Sequence, residues 1–478
     1  MKMGFLPRIC HSALPFMREY GGGMRANLVF ALCTALMVAW MGCSRSSFVH
    51  VAVDPGSPAD NDTATDTTDI CVQPDLVPKR QFIVAPYIIN PKPDSVTIRF
   101  EAMDEGPAYL LYGRDGNLTH CVCVPPPKQA KIVTDEETDP AFTQHDGWIY
   151  SVTLTGLEPW TLYDYTLMGA MVPTSNAQNG FQQIADWEDF VSGHFRTAPL
   201  PGQDFVMFVY GDNQPFTMFL DPVIKRMVEM GGDLVLHTGD IVHNGFFWEF
   251  RYQYFMVASQ IMRYVPHLHT SGNHEGHGEF IPFDVYFPVP GGDPVTVQNT
   301  LVSPGPRSGY LDYGNARFFV MDSERPMTAG SPQLIWLDTM LGRTVHEHPE
   351  ITWLFVSWHR PTYSEADDIW GWDVREATHA VMKRWRVDAV FNGHVHAYER
   401  FVQDDVVYVI TGGGGALLNP SLDKGTTYPD DNRVKADLCY HFVRAEIGSK
   451  SASFRAIRAQ DGSEIESFTI QAKDRSGL

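Results

Sequence analysis

The sequence predicts an α/β layered domain, a β-sandwich core flanked by helices, preceded by a separate all-β sandwich. Three observations carry this expectation. Between residues 81 and 200, short alternating segments are separated by turn residues and show no helical period. After Pro201-Gly202, apolar strand candidates alternate with helical stretches, as in layered α/β domains. Clusters of Asp, Asn and His then follow several apolar runs, where such domains place their ligand sites.

Residues 1–43 read as an export segment. Met24-Arg25 opens a basic start, and Leu28–Met41 is an apolar run too short to span a bilayer comfortably. Residues 1–23 carry no signal of their own and read as an extension from an upstream start codon. The ending Trp40-Met41-Gly42-Cys43 resembles a bacterial lipoprotein cleavage site, although Trp40 stands where Leu is preferred. That resemblance implies lipidation of Cys43, a membrane anchor and a cell-envelope location, periplasmic or surface-exposed; the alternative is an ordinary secretory signal. Residues 44–80 are rich in Asp, Thr, Ser, Pro and Ala and predict a disordered tether. Exported thiols can oxidise, and Cys71, Cys121, Cys123 and Cys439 allow three pairings that the sequence does not choose between.

In the sandwich region, Ser95–Phe100, Ala108–Tyr112 and Tyr150–Leu154 alternate cleanly. The phrase from Gly156 to Tyr165 and the closing Phe195-Arg196-Thr197-Ala198-Pro199 resemble a fibronectin type III-like domain. From 201 to 478, strands are expected at Phe205–Tyr210, Leu234–Leu236, Phe318–Met321, Trp353–Val356, Ala389–Phe391 and Val406–Ile410. Helices are expected near Pro222–Met230, Phe247–Met262, Pro332–Leu341 and Asp373–Trp385. Tyr440–Ile470 alternates again and is expected to add edge strands.

The net charge of −21 excludes a general binder of nucleic acid or anionic membrane, because no field of the right sign exists. An anionic substrate would need a local positive site, which bound metal ions provide. The His content points the same way, since most of the 18 His lie between His237 and His396.

Five clusters carry the candidate ligands: Gly211-Asp212-Asn213-Gln214, Gly239-Asp240-Ile241-Val242-His243, Gly272-Asn273-His274-Glu275, Val356-Ser357-Trp358-His359, and Gly393-His394-Val395-His396. Singly, Gly-Asp and Gly-Asn are ordinary turns. The His-x-His pair is stronger, because alternate residues of an extended segment offer two imidazoles to one site. Together they form a mixed nitrogen and oxygen set suited to Fe, Mn or Zn, with none of the thiolates of a structural zinc site.

The order of these motifs resembles the calcineurin-like metallophosphoesterase superfamily. Asp312–Asn315, Phe319–Glu324, His359-Arg360-Pro361, Gly393–Arg400 and Tyr408–Ala416 narrow the resemblance to its purple acid phosphatase-like branch. It implies one metal between Asp212, Asp240 and His396, and a second between Asp240, Asn273, His359 and His394. Asp240 bridges them, and a hydroxide held between two ions attacks phosphorus. His274 is then the general acid, and Glu275 orients it or a neighbouring ligand.

Two departures stand out. The purple enzymes place a tyrosine three residues after the bridging Asp, where this chain has His243, which becomes a candidate ligand of the first metal. Gln214 stands where other branches place a His. Where substrate-binding His are expected, the chain has Asp368 and Ile369, with Asp367 beside them. His277, Arg360 and Arg400 are weaker candidates for phosphate contact. The expected function is a dinuclear-metal phosphomonoesterase acting on small phosphate esters. Phosphodiesterase or nucleotidase chemistry on the same site is an alternative, and a metal-bound phosphate receptor for adhesion is the non-enzyme alternative. Protein partners are not legible.

Overall fold

The computed structural model describes residues 79–127, 147–178, 181–189, 192–366, 372–420, 422 and 432–478. The export segment, Cys43, most of the tether and Asp367, Asp368 and Ile369 lie outside the described residues. Among the described residues, no helix is long and apolar enough to cross a membrane.

The first nine strands make a β-sandwich. One sheet has the order β5-β2-β1-β7-β8, formed by β1 (Arg80–Ile89), β2 (Ser95–Ala102), β5 (Trp148–Thr155), β7 (Ala170–Gln178) and β8 (Phe181–Asp189). The other, β4-β3-β6-β9, uses β3 (Ala108–Arg114), β4 (Asn117–Val124), β6 (Leu162–Leu167) and β9 (Gly193–Arg196). Val96, Ile98 and Phe100 of the first sheet and Leu110, Tyr165 and Phe195 of the second share one buried core. The β7–β8 hairpin was not expected; its Asn, Gln and Asp residues dilute the alternation that flags strands. Cys121 is disulfide-bonded, while Cys123 and Cys439 are free.

The remaining strands build two facing sheets. The six-stranded sheet runs β12-β11-β10-β22-β23-β24, from β10 (Phe205–Tyr210), β11 (Leu234–His237), β12 (His267–His269), β22 (His441–Ile447), β23 (Ser451–Arg458) and β24 (Glu464–Gln471). The seven-stranded sheet runs β15-β16-β17-β18-β20-β19-β21. Its strands are β15 (Gly309–Tyr313), β16 (Ala316–Val320), β17 (Trp353–Ser357), β18 (Ala389–Asn392), β19 (Tyr398–Gln403), β20 (Val406–Thr411) and β21 (Arg433–Asp437). A small hairpin, β13 (Val295–Val297) with β14 (Thr300–Val302), stands apart.

Alternation divides each strand between two layers. Val209, Leu236, Phe318, Phe355 and Phe391 meet between the sheets. Phe208, Tyr210 and Val235 face outward to α1 (Thr217–Met230) and α2, the latter running from Phe247–Glu249 through a π-helical turn, Phe250–Phe255, to Met256–Met262. Leu354, Val356 and Val390 face the opposite way, toward α4 (Pro332–Glu347) and α5 (Trp372–Arg384); α3 is the short Ile281–Tyr286. The result is helix, sheet, sheet, helix.

Two expectations need correction. The C-terminal segment does not merely supply edge strands: β22 lies inside the six-stranded sheet against β10, because Phe442, Val443, Ala445 and Ile447 are buried. And α1 begins at Thr217, so Pro222 lies inside the helix instead of opening it. Strand β12, only His267-Leu268-His269, was missed because two buried imidazoles interrupt its apolar signal.

Candidate metal centre

Strands β10, β11 and β12 run parallel, as do β16, β17, β18 and β20. Their carboxyl ends deliver all five clusters to one place. Asp212 and Asp240 both adopt left-handed backbone, with φ of 59° and 53°, and His394 does so at 70°. The two loops bond each other: Asp212 N–H donates to Gly239 O at 3.0 Å and Asn213 N–H to Asp240 O at 3.1 Å. The glycine before Asn273 is a matter of space, since a Cβ on Gly272 would lie 2.2 Å from Asp240 Oδ1.

The donor atoms of Asp240, His359 and His394 lie within 4.8 Å of one another, as do those of Asp212, Asp240 and His396. Asp240 belongs to both groups. Asn273 joins the first side, its Oδ1 3.2 Å from His359 Nε2, which is itself 3.1 Å from Asp240 Oδ2. His396 Nε2 is 3.6 Å from Asp212 Oδ1.

Three features fit this cluster to cations. His359 Nδ1–H donates to Thr238 O at 2.9 Å and His396 Nδ1–H to Leu417 O at 2.7 Å, which turns each Nε2 inward. Asp212 Oδ2 is buried without a hydrogen-bond partner among the described residues. Finally, negative charge is crowded. Burial pushes the Asp212 carboxyl well up, and burial and Asp240 push Glu275 up to about 8. Burial opposes a proton on His359, yet Asp240 and Asp212 raise that imidazole to about 10. A proton held that tightly occupies a place where a metal ion would satisfy the same carboxylates.

The flanking residues divide. Glu275 accepts backbone N–H groups from Asp240, Ile241, Val242 and Gly272, so it holds the ligand loops rather than the His274 ring. Gln214 Nε2 donates to Asp240 Oδ2 at 3.2 Å. His274 N–H donates to Asp240 Oδ1 at 2.9 Å, and its Nε2 stands 3.8 Å from Asp240 Oδ2. His274 Nδ1–H donates to His243 O at 2.6 Å. The His243 ring lies 5.0 Å from the His274 ring and is not among the convergent donor groups. Burial, with His274 and His277 nearby, pushes the His243 imidazole down to about 4. His277 is exposed, its ring 5.4 Å from His274. Arg360 reaches His394, whereas Arg400 is spent in a two-bond pair with Glu466 of β24 and lies over Phe468. The carbonyl partners Thr238 and Leu417 left no signal in the sequence, since any residue supplies a carbonyl.

Residues 204–398 match the family model described as calcineurin-like phosphoesterase. The chain is similar to a nucleotide pyrophosphatase/phosphodiesterase of Hordeum vulgare, 27% identical over 59% of this chain and 88% of that protein. It is also 25% identical to an Arabidopsis thaliana purple acid phosphatase homologue whose name marks it as inactive, over 70% of this chain and 59% of that protein. A purple acid phosphatase from yellow lupin (Lupinus luteus) seeds shares the fold, with a TM-score of 0.63 at 20% identity, covering 82% of this chain and 74% of that one. The chain therefore contains a calcineurin-like metallophosphoesterase domain, the domain of a hydrolase superfamily, and has purple acid phosphatase homologues.

Proposed function

We propose that the chain is an exported dinuclear-metal phosphohydrolase whose preferred substrates are phosphomonoesters. The observation that carries this reading is the sharing of Asp240 between two convergent donor groups. Asp212, Asp240 and His396 would hold one ion, and Asp240, Asn273, His359 and His394 the other, with Fe, Zn or Mn suited to these donors. Bound there, the ions supply Lewis acidity toward phosphoryl oxygens and lower the pKa of water. His243, three residues after Asp240, remains a proposed additional donor to the first ion.

The chain's own part is positioning and proton transfer. With Nδ1–H tied to His243 O, His274 presents Nε2 to the site, and its protonated form gives a proton to the leaving alkoxide oxygen. Asp240 Oδ2 lies 3.8 Å from that Nε2. The barley relative's name keeps phosphodiesters as the second substrate class. Lipidation at Cys43 and a fibronectin type III-like identity for the sandwich belong to the same proposal.

Purified protein loaded with Fe, Zn or Mn is expected to release p-nitrophenol from p-nitrophenyl phosphate, and Asp240→Asn to abolish release. No turnover of mono- or diesters by protein shown to hold both ions would falsify the enzyme reading and favour a phosphate receptor.

A further inference from the structure

Arg360 follows His359 directly, and its guanidinium is divided between two partners. Nε and Nη2 donate to the Glu324 carboxylate at 2.7 and 3.3 Å, while Nη1 lies 3.3 Å from His394 Nε2. The Arg360 N–H donates to Ser323 Oγ at 3.2 Å, so the segment after β16 fixes both the backbone and the head of this side chain. The Arg360 and Glu324 side chains keep 26% and 20% of their surface exposed, and pairs this open to water contribute little stability. Stability does not account for a cation held against the donor cluster.

Metal binding sharpens the point. A guanidinium beside bound cations is repelled unless an anion lies between them. Filling the group of Asp240, His359 and His394 also removes the acceptor that Arg360 now uses, whichever ring nitrogen of His394 serves. If Nε2 binds the metal, its lone pair is spent. If Nδ1 does, the ring hydrogen sits on Nε2, and two donors face each other. An anionic oxygen placed there satisfies the Arg360 N–H in either case.

We propose that Arg360, oriented by Glu324, anchors the phosphoryl group and selects dianionic phosphomonoesters over monoanionic diesters. This rests on the hydrolase reading above and names the substrate class of that site. A monoester keeps a second charged oxygen for the guanidinium, which a diester replaces with an ester group.

The test compares metal-loaded wild type, Arg360→Gln, Arg360→Lys and Glu324→Gln on p-nitrophenyl phosphate and bis(p-nitrophenyl) phosphate, with metal content checked in each. Inorganic phosphate affinity is measured beside them by isothermal titration calorimetry. Arg360→Gln is expected to weaken phosphate binding and monoester kcat/KM by about tenfold to a hundredfold, and diester kcat/KM by less than about threefold. Arg360→Lys should recover part of the loss, keeping the charge without the fork. Glu324→Gln, which leaves the guanidinium in place, should lose less on the monoester than Arg360→Gln. Equal losses on the two esters, an equal loss in Glu324→Gln, or phosphate affinity that is undetectable in wild type or unchanged by Arg360→Gln would each overturn the proposal. Should wild type cleave neither ester, the hydrolase reading fails separately, and the phosphate titration still decides whether Arg360 holds an anion.

Discussion

Glu275 accepts the Ile241 N–H at 2.7 Å, and the same carboxylate takes Gly272 N–H at 2.7 Å, Asp240 N–H at 3.1 Å and Val242 N–H at 3.2 Å. One fully buried side chain thus ties the loop of Asp240 to the loop of Asn273. An amide cannot do this, because its NH2 would face backbone donors. Glu275→Gln is expected to cost about 2–4 kcal/mol of stability and at least about tenfold in metal affinity. Denaturant unfolding and chelator competition read the two effects; wild-type values in both would show that the carboxylate does not hold the loops.

Space at Gly393 gives a second expectation. A Cβ there would lie 2.2 Å from Asp212 Oδ2 and 3.0 Å from Thr238 O. Gly393→Ala must push aside a carboxylate that is itself pinned by the His394 N–H at 2.6 Å. Elemental analysis should find less metal per chain than in wild type, while circular dichroism stays native. Full metal content in the variant would mean that Asp212 is free to shift, contrary to its buried, bonded setting.

The ligand clusters were legible because each closes a buried parallel strand, and a strand end fixes where its next few residues go. Asp212, Asp240, His359, His394 and His396 follow this rule, and their donors converge. Side-chain direction within a loop was not legible. His243 aligns with a ligand position, yet its ring leans on His274 instead. Arg400 lies on β19, where register alone decides that it meets Glu466 across the sheet. Glu275 was expected to orient His274 or a neighbouring ligand, and it does so for Asp240 through backbone groups, a detail that depends on loop curvature rather than residue type. Whole strands were missed where polar residues are buried, as in His267–His269, because hydropathy cannot separate a buried imidazole from an exposed one.

Those buried imidazoles set a pH dependence. His267 Nδ1–H donates to Val265 O at 2.8 Å and His441 Nδ1–H to Cys439 O at 2.9 Å, and neither Nε2 has a partner among the described residues. Burial pushes both down to about 4, from 6.5. Protons therefore bind the unfolded chain more readily than the folded one. Stability from each His is complete above about 6.5 and is lost as pH falls toward 4, by about 3 kcal/mol apiece at the limit. Urea midpoints should fall between about pH 7 and about pH 5, and His441→Gln should flatten that slope. A midpoint indifferent to pH over this range would contradict the buried neutral state.

Colour separates His243 from the tyrosine expected at its position. A purple band requires an Fe(III)–tyrosinate bond, and the donors brought together here are carboxylate, amide and imidazole. Iron-loaded protein is therefore expected to lack the purple absorption. A strong visible band of that kind would show that a tyrosine reaches the metal and that His243 does not mark the ligand position.

A buried ion pair joins the sandwich to the layers that carry the candidate metal centre. Glu101 of β2 is fully buried and accepts Arg251 Nε–H from α2 at 3.2 Å, a second bond from Arg251 Nη2, and the Tyr286 hydroxyl at 2.7 Å. Tyr87 of β1 adds a bond from its hydroxyl to Tyr286 O at 2.9 Å. Arg251→Met would leave a buried carboxylate without its cation, at a cost of about 3–5 kcal/mol. Replacing both partners, as Arg251→Met with Glu101→Leu, should recover much of that loss, since the pair's attraction is largely offset by its desolvation. Because the two residues come from different halves, the single variant should also separate their unfolding, giving two thermal transitions where wild type gives one. A single transition at the wild-type midpoint would mean that the apolar contacts of Ile83, Val84 and Tyr87 with Phe250, Tyr254 and Phe255 hold the halves together unaided.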